Sequence, residues 1–387
     1  MSNRTANDFL VFGQPLIGTD EIDEVADSMR KAWLGTGPKV AQFEADFASF
    51  KRVSHVAALN SCTAALHLSI LAAGIGPGDE VITTALTFCA TVNAIIHAGA
   101  TPVLADIDPD TLNISPERIR ERITPRTRAI LPVHFAGRPC DMSAIMRIAG
   151  EHELKVIEDC AHAVEAEYQG RPTGTFGDFG CFSFYATKNI TTGEGGLVIA
   201  KREEDIARIK ILGLHGMSKD AWRRFGDEGY KHYFVVDCGY KYNMMDLQAA
   251  IGIHQLRRID AWSDRRTHIW ESYDHALAGL PLTLPTAAEV NTRHARHLYT
   301  ILVDQDIAGI SRDDFLDRMT KCGIGVGVHY LSIPEHPYYQ TAYGWKPQDY
   351  PNAMRIGRQT VSLPLSPRLA SADVAAVIQA VVQCLQR

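Results

Sequence analysis

Two rhythms of hydrophobic and polar residues alternate between residues 55 and 200. Short, nearly unbroken apolar runs at 55–59, 80–83, 102–106, 128–133 and 155–158 read as strands. Amphipathic stretches at 64–73, 90–97 and 141–152 read as helices, the first stopped by Gly74. Strands apolar on both faces and separated by helices predict a mostly parallel sheet covered on both sides. Gly180 to Phe184 continues the series, and 195–200 adds one more strand.

The rhythm then changes. Residues 215–240 are rich in aromatics and charges and lack a clear period. A stretch that long is expected to be functional or exchanged between subunits. A helix is predicted from 245 to about 262, continuing toward 277, and 281–296 is a polar break. A smaller α+β part is expected after it, with strands at 298–303 and 324–329 and helices at 312–322 and 371–385. The predicted architecture is a large α/β domain over 1–257 and a small C-terminal α+β domain over 258–387. No internal repeat or low-complexity segment is visible.

Composition narrows the function. The chain has 387 residues, 46% hydrophobic and 22% charged, the proportions of a globular protein. A net charge of −6 provides no bulk basic field for nucleic acid or an anionic membrane. The first residues lack the apolar core of a signal peptide, and no run is long enough to span a bilayer, so a cytoplasmic location is the expectation. The eight cysteines contain no C-x-x-C pair, which argues against zinc-ribbon and iron–sulfur sites and for buried reduced thiols.

The candidate chemistry sits at the strand ends. Asp159 closes the 155–158 run, at the edge where open α/β sheets bind ligands. Ser183 lies between Phe182 and Phe184, so strand alternation puts it on the opposite face from both. Lys188 follows, among Thr187, Asn189, Thr191 and Thr192 and close to Gly193, Gly195 and Gly196. Taken singly, these residues read as a helix cap, a strand serine and a solvated lysine. In this order on one sheet edge they match the needs of pyridoxal phosphate (PLP): an amine for the aldehyde, an acid for the ring nitrogen, and donors for the phosphate. His162 is a candidate for the phenolic oxygen. Phe88 is a candidate to stack on the ring. The Asn60–Ala64 turn offers free amides at a helix start for a phosphate. No Walker A motif is present, and Gly35-Thr36-Gly37 lacks the preceding strand of a dinucleotide site.

Several segments together resemble the DegT/StrS sugar aminotransferases. They are Glu158-Asp159-Cys160-Ala161-His162-Ala163, Phe182 to Asn189, Gly193-Glu194-Gly195-Gly196, Gly239-Tyr240-Lys241-Tyr242-Asn243-Met244 and Gln248 to Gly252. Gly35 to Pro38, Ser61 to Ala64, Pro132 to Gly137 and His329-Tyr330 extend the likeness over nearly the whole chain. Gly-Tyr-Lys-Tyr-Asn is similar to the branch acting on UDP-4-keto-pentose.

The resemblance implies the aspartate-aminotransferase fold (fold type I) and a homodimer with active sites at the subunit interface. It implies PLP bound covalently to Lys188, with Asp159 at the pyridine nitrogen, His162 at the ring oxygen and Phe88 over the ring. Thr63, Ala64 and Ser183 would hold the phosphate. Many members have asparagine where this chain has Lys241, so either Lys241 or Asn243 is the candidate for the contact to the neighbouring subunit's phosphate. Members that became dehydratases carry histidine in place of Lys188, so transamination from L-glutamate to a nucleotide-linked sugar is expected. A same-fold dehydratase and a non-catalytic regulator are the rival readings. For the anionic diphosphate, Arg223, Arg224, Lys231 and His329 are the candidates.

Overall fold

The computed structural model describes residues 9–218 and 233–386. Its central sheet opens with β1 (Val56–Leu59), β2 (Glu80–Thr84), β3 (Thr101–Ala105), β4 (Thr127–Leu131) and β5 (Lys155–Asp159). After a small hairpin of β6 (Glu167–Tyr168) and β7 (Arg171–Pro172), β8 (Phe179–Ser183) and β9 (Gly196–Ala200) complete it. The seven strands lie in the order β1-β9-β8-β5-β4-β2-β3. Within the sheet only β9 runs against its neighbours, so the expected mostly parallel sheet is present.

Alternation divides the strand residues between two cores. Ala57, Leu59, Cys181 and Val198 face helices Cys62–Ala72, Cys89–His97 and Glu203–Leu212. Val56, Ala58, Phe182 and Ile199 face helices Pro38–Lys51 and Asp246–Arg257. Phe43 and Phe47 pack edge-on against Phe184 and Phe182, with centroids 5.2 and 5.1 Å apart. Each phenylalanine buried this way contributes about 1.5–3 kcal/mol.

The C-terminal part has its own core. Helices Ile259–Leu277, Arg312–Lys321 and Ser371–Leu385 cover an antiparallel pair, β10 (Tyr299–Leu302) and β11 (Thr360–Leu363). Leu10 joins that core from the other end of the chain, bridging to Ile324.

Several sequence expectations need correction. The strand expected at 324–329 does not form: Ile324 and Gly327 make only isolated bridges, to Leu10 and Ser362. Gly325 lies so close to Leu10 that a Cβ there would come within 2.8 Å of its carbonyl oxygen. The partner of β10 is β11, which the sequence reading leaves unassigned. The helix expected to run through Trp262 toward Leu277 is two helices, broken at Arg258 (φ −102°, ψ 2°). Helices Thr19–Arg30, Pro38–Lys51, Pro116–Arg122, Glu203–Leu212, Pro337–Tyr343 and Pro351–Gln359 were also not anticipated.

Candidate active site

The strand ends bring the candidate residues to one edge. Leu59 and Ser183 both pair with Gly196, and Asp159 pairs with Cys181 two positions back along β8. A Cβ on Gly196 would collide with the Ser61 carbonyl, so glycine lets the turn after β1 close over β9. A cavity of about 540 Å³ opens at this edge. Its walls include Thr63, Phe88, Asp159, His162, Ser183, Lys188 and His329.

Lys188 is half-buried, and its amide closes a turn on the Tyr185 carbonyl at 2.9 Å. Desolvation pulls its ammonium down to about 8, against the pull of Asp159 and Cys62 in the other direction. Asp159 is buried, and desolvation pushes its carboxyl above the usual range. Opposing that push are the Ala161 amide on Oδ1 (3.0 Å), the Thr91 hydroxyl on Oδ2 (2.9 Å) and the charge of Lys188. Next to it, Glu158 is held below its ordinary value although burial alone would raise it. His134 Nε2 at 3.1 Å and the amides of Gly177 and Gly174 do this. The pair ties the ends of β4 and β5, where the His134 amide also donates to the Asp159 carbonyl at 3.1 Å.

Three histidines share the cavity. Burial first, and then the Lys188 charge, hold His162 and His297 well below the usual range and bring His329 to about 4. All three are therefore neutral. The Ala136 amide donates to His162 Nδ1 at 3.2 Å, so the proton of this neutral ring sits on Nε2. That N–H donates to the Tyr330 hydroxyl at 3.1 Å, which leaves the tyrosine's own hydrogen free for the cavity. Asn189 donates to Glu165 (2.7 Å) and to the Ala295 carbonyl (2.9 Å), so its Oδ1 accepts from His297 Nδ1 at 2.9 Å. His297 Nε2 is then the acceptor of that ring. His329 Nδ1 meets Ser362 Oγ at 2.9 Å.

The other sequence candidates fall as follows. Phe88 is 56% exposed at the cavity mouth, with its ring 5.7 Å from that of Tyr330. Thr63 lies in the first turn of helix Cys62–Ala72, where amides have no intrahelical partner. The Ala64 amide is already engaged by the Ser61 cap at 3.1 Å, and Ala64 does not line the cavity. Lys241 and Asn243 contact each other at 2.5 Å, and neither lines this chain's cavity. His329, being neutral, can offer a hydrogen bond but no charge. Arg223, Arg224 and Lys231 lie outside the described residues. Thr91, His297 and Tyr330 went unassigned in the sequence. Only Tyr330, inside the His-Tyr pair, carried a signal there.

A model described as the DegT/DnrJ/EryC1/StrS aminotransferase family matches residues 15–382. The chain belongs to that family. Among curated relatives, the spore coat polysaccharide biosynthesis protein SpsC of Bacillus subtilis is 50% identical over 97% of both chains. Spr1654 from Streptococcus pneumoniae, solved in PLP and PMP forms, matches at 32% identity with a TM-score of 0.90, over 97% of this chain and 98% of its own. DesI, solved in the presence of its TDP-sugar product, is 30% identical with a TM-score of 0.87, over 98% of this chain and 94% of its own. This aminotransferase has the aspartate-aminotransferase-like fold (fold type I) and uses PLP as its cofactor. Its donor set fits that group. The cavity offers an amine brought near neutrality, a carboxylate at a strand end, and a helix start with free amides beside the Ser183 and Thr63 hydroxyls.

Proposed function

We propose that this aminotransferase moves the amino group of L-glutamate to the 4-keto group of a nucleotide-linked sugar, working as a homodimer. The observation that carries the reading is the amine of Lys188, brought to about 8 in a cavity it shares with Asp159. At pH 7 roughly a tenth of such an amine is neutral, against well under a thousandth for an ordinary lysine. A neutral amine can bond to an aldehyde and, once released, carry a proton.

PLP, when bound, supplies an electron sink for the carbon that loses its proton. The chain does the rest. Lys188 would tether the coenzyme and, once released, would carry the proton. Asp159 presents a carboxylate to the ring nitrogen, and His162 a neutral N–H to Tyr330. Thr63, Ser183 and the first-turn amides of helix Cys62–Ala72 other than that of Ala64 would hold the phosphate. Phe88 flanks the ring. His297 and Tyr330 offer an acceptor and a donor to groups in the cavity. The diphosphate of the sugar falls to Arg223, Arg224 and Lys231, with His329 as a neutral partner. Lys241 or Asn243 reaches the neighbouring subunit's phosphate.

The two solved forms of Spr1654 support a reaction in two halves. The TDP-sugar product of DesI supports a nucleotide-linked acceptor, and the polysaccharide role of SpsC supports a sugar product. The test is a panel of keto-sugar nucleotides incubated with enzyme and L-glutamate. The reading expects an amino-sugar nucleotide and equimolar 2-oxoglutarate with at least one 4-keto substrate. Sugar deoxygenation without nitrogen incorporation, or no reaction across the panel, overturns it.

A further inference from the structure

We infer that Thr91, backed by Thr87, is a positioning residue for Asp159: two hydroxyls in one fixed direction hold that carboxylate ionised and in a single orientation. Thr87 Oγ1 and Thr91 Oγ1 are 2.8 Å apart, and Thr91 Oγ1 is 2.9 Å from Asp159 Oδ2. Both threonines are buried, and both line the cavity. An ionised carboxylate has no hydrogen to give, so Thr91 must donate to Asp159. Its single hydrogen is then used, and its oxygen accepts from Thr87. The order Thr87 to Thr91 to Asp159 follows from atom counting.

A local explanation exists and is insufficient. Thr87 precedes the first turn of helix Cys89–His97 and Thr91 is its third residue, and paired hydroxyls at a helix start often serve the nearby backbone. Here the Thr91 hydrogen goes instead to a carboxylate 68 residues away in sequence. The positive end of that helix favours the same charged form.

The other groups around Asp159 do not duplicate this contact. The Ala161 amide reaches Oδ1, and the Cys62 thiol lies 4.0 Å from Oδ1. Lys188 acts through charge alone, His134 Nε2 meets Glu158 rather than Asp159, and Tyr330, Cys160 and Cys181 are neutral neighbours. Among the described residues, Thr91 is therefore the hydrogen-bond donor to Oδ2. Without it the carboxylate gains proton affinity and competes for the proton that it should leave on the ring nitrogen.

The test uses the PLP-loaded full-length enzyme with ¹⁵N at the pyridine nitrogen, read by NMR. Asp159→Asn marks the shift of an unprotonated ring. Thr91→Val is expected to move the signal most of the way toward that mark, Thr91→Ser to return it, and Thr87→Val to give a smaller move in the same direction. Should Thr91→Val fail to fold, Thr91→Ala and Thr87→Val carry the same comparison. A Thr91→Val or Thr91→Ala signal at the wild-type position, or a Thr91→Ser signal no better than theirs, overturns the inference. The readout involves no sugar, so it stands or falls separately from the acceptor assignment.

Discussion

Lys188 shares its lowered ammonium value with a second lysine that has a different task. Lys51 is buried, donates to the Thr173 carbonyl at 2.9 Å, and lies 4.6 Å from the centroid of Phe182. Desolvation brings it to about 8 despite the pull of nearby Cys160 and Glu158. Its folded value lies below the unfolded one, so between about 8 and 10.5 the unfolded chain holds more protons. Stability contributed by this residue therefore rises with pH across that window, and the burial cost is present in full below it. In the loaded enzyme Lys188 is occupied, so Lys51→Met should flatten the rise in urea-unfolding midpoint expected between about pH 8 and 10.5. An unchanged slope would mean that Lys51 is solvated in solution. The serine and aspartate of the site were legible because strand alternation and strand ends fix where such side chains point. Thr91 was not, because its partner comes from a strand 68 residues away and its local sequence reads as an ordinary helix start.

Close packing of helices fixes the loop that carries Lys188. Gly252, in helix Asp246–Arg257, faces Phe43 of helix Pro38–Lys51 and Thr192 of the lysine loop. A Cβ there would approach both within 2.9 Å. Gly252→Ala should cost about 1–3 kcal/mol by overpacking, seen as a lower urea midpoint at unchanged slope. A variant as stable as wild type would show that the two helices can part at no cost. At this scale the sequence was readable where elements were long and strongly patterned. The seven large-sheet strands it predicted between 55 and 200 formed, Gly180 to Phe184 included, as did helices 371–385 and 312–322 within a residue or two. It misled where Ile324, Val326 and Val328 alternate like a strand, since Gly325 and Gly327 between them serve close approaches to Leu10 and His329 rather than pairing. The short helices that begin with proline, Pro337–Tyr343 and Pro351–Gln359, carry too few turns for a period to register.

The surface of the whole chain is not evenly polar. Ile22, Met29, Trp33 (48% exposed) and Leu34 lie in and just after helix Thr19–Arg30, and Phe234 (71%), Val235 and Val236 form a second apolar group. Clusters of this kind usually mark interfaces, and they support the proposed homodimer. Charged substitutions at both, Trp33→Glu with Phe234→Glu, are expected to convert a dimer to a monomer in sedimentation and to lower activity in step. A fully active dimer would remove these surfaces from the account.

One covalent bond underlies the whole account, between the coenzyme and Lys188. Borohydride reduction of the PLP-saturated protein, followed by peptide mass mapping, tests it directly. The prediction is a single pyridoxyl adduct on the peptide containing Lys188, absent from Lys188→Ala. An adduct on a different lysine, or none at all, would contradict it.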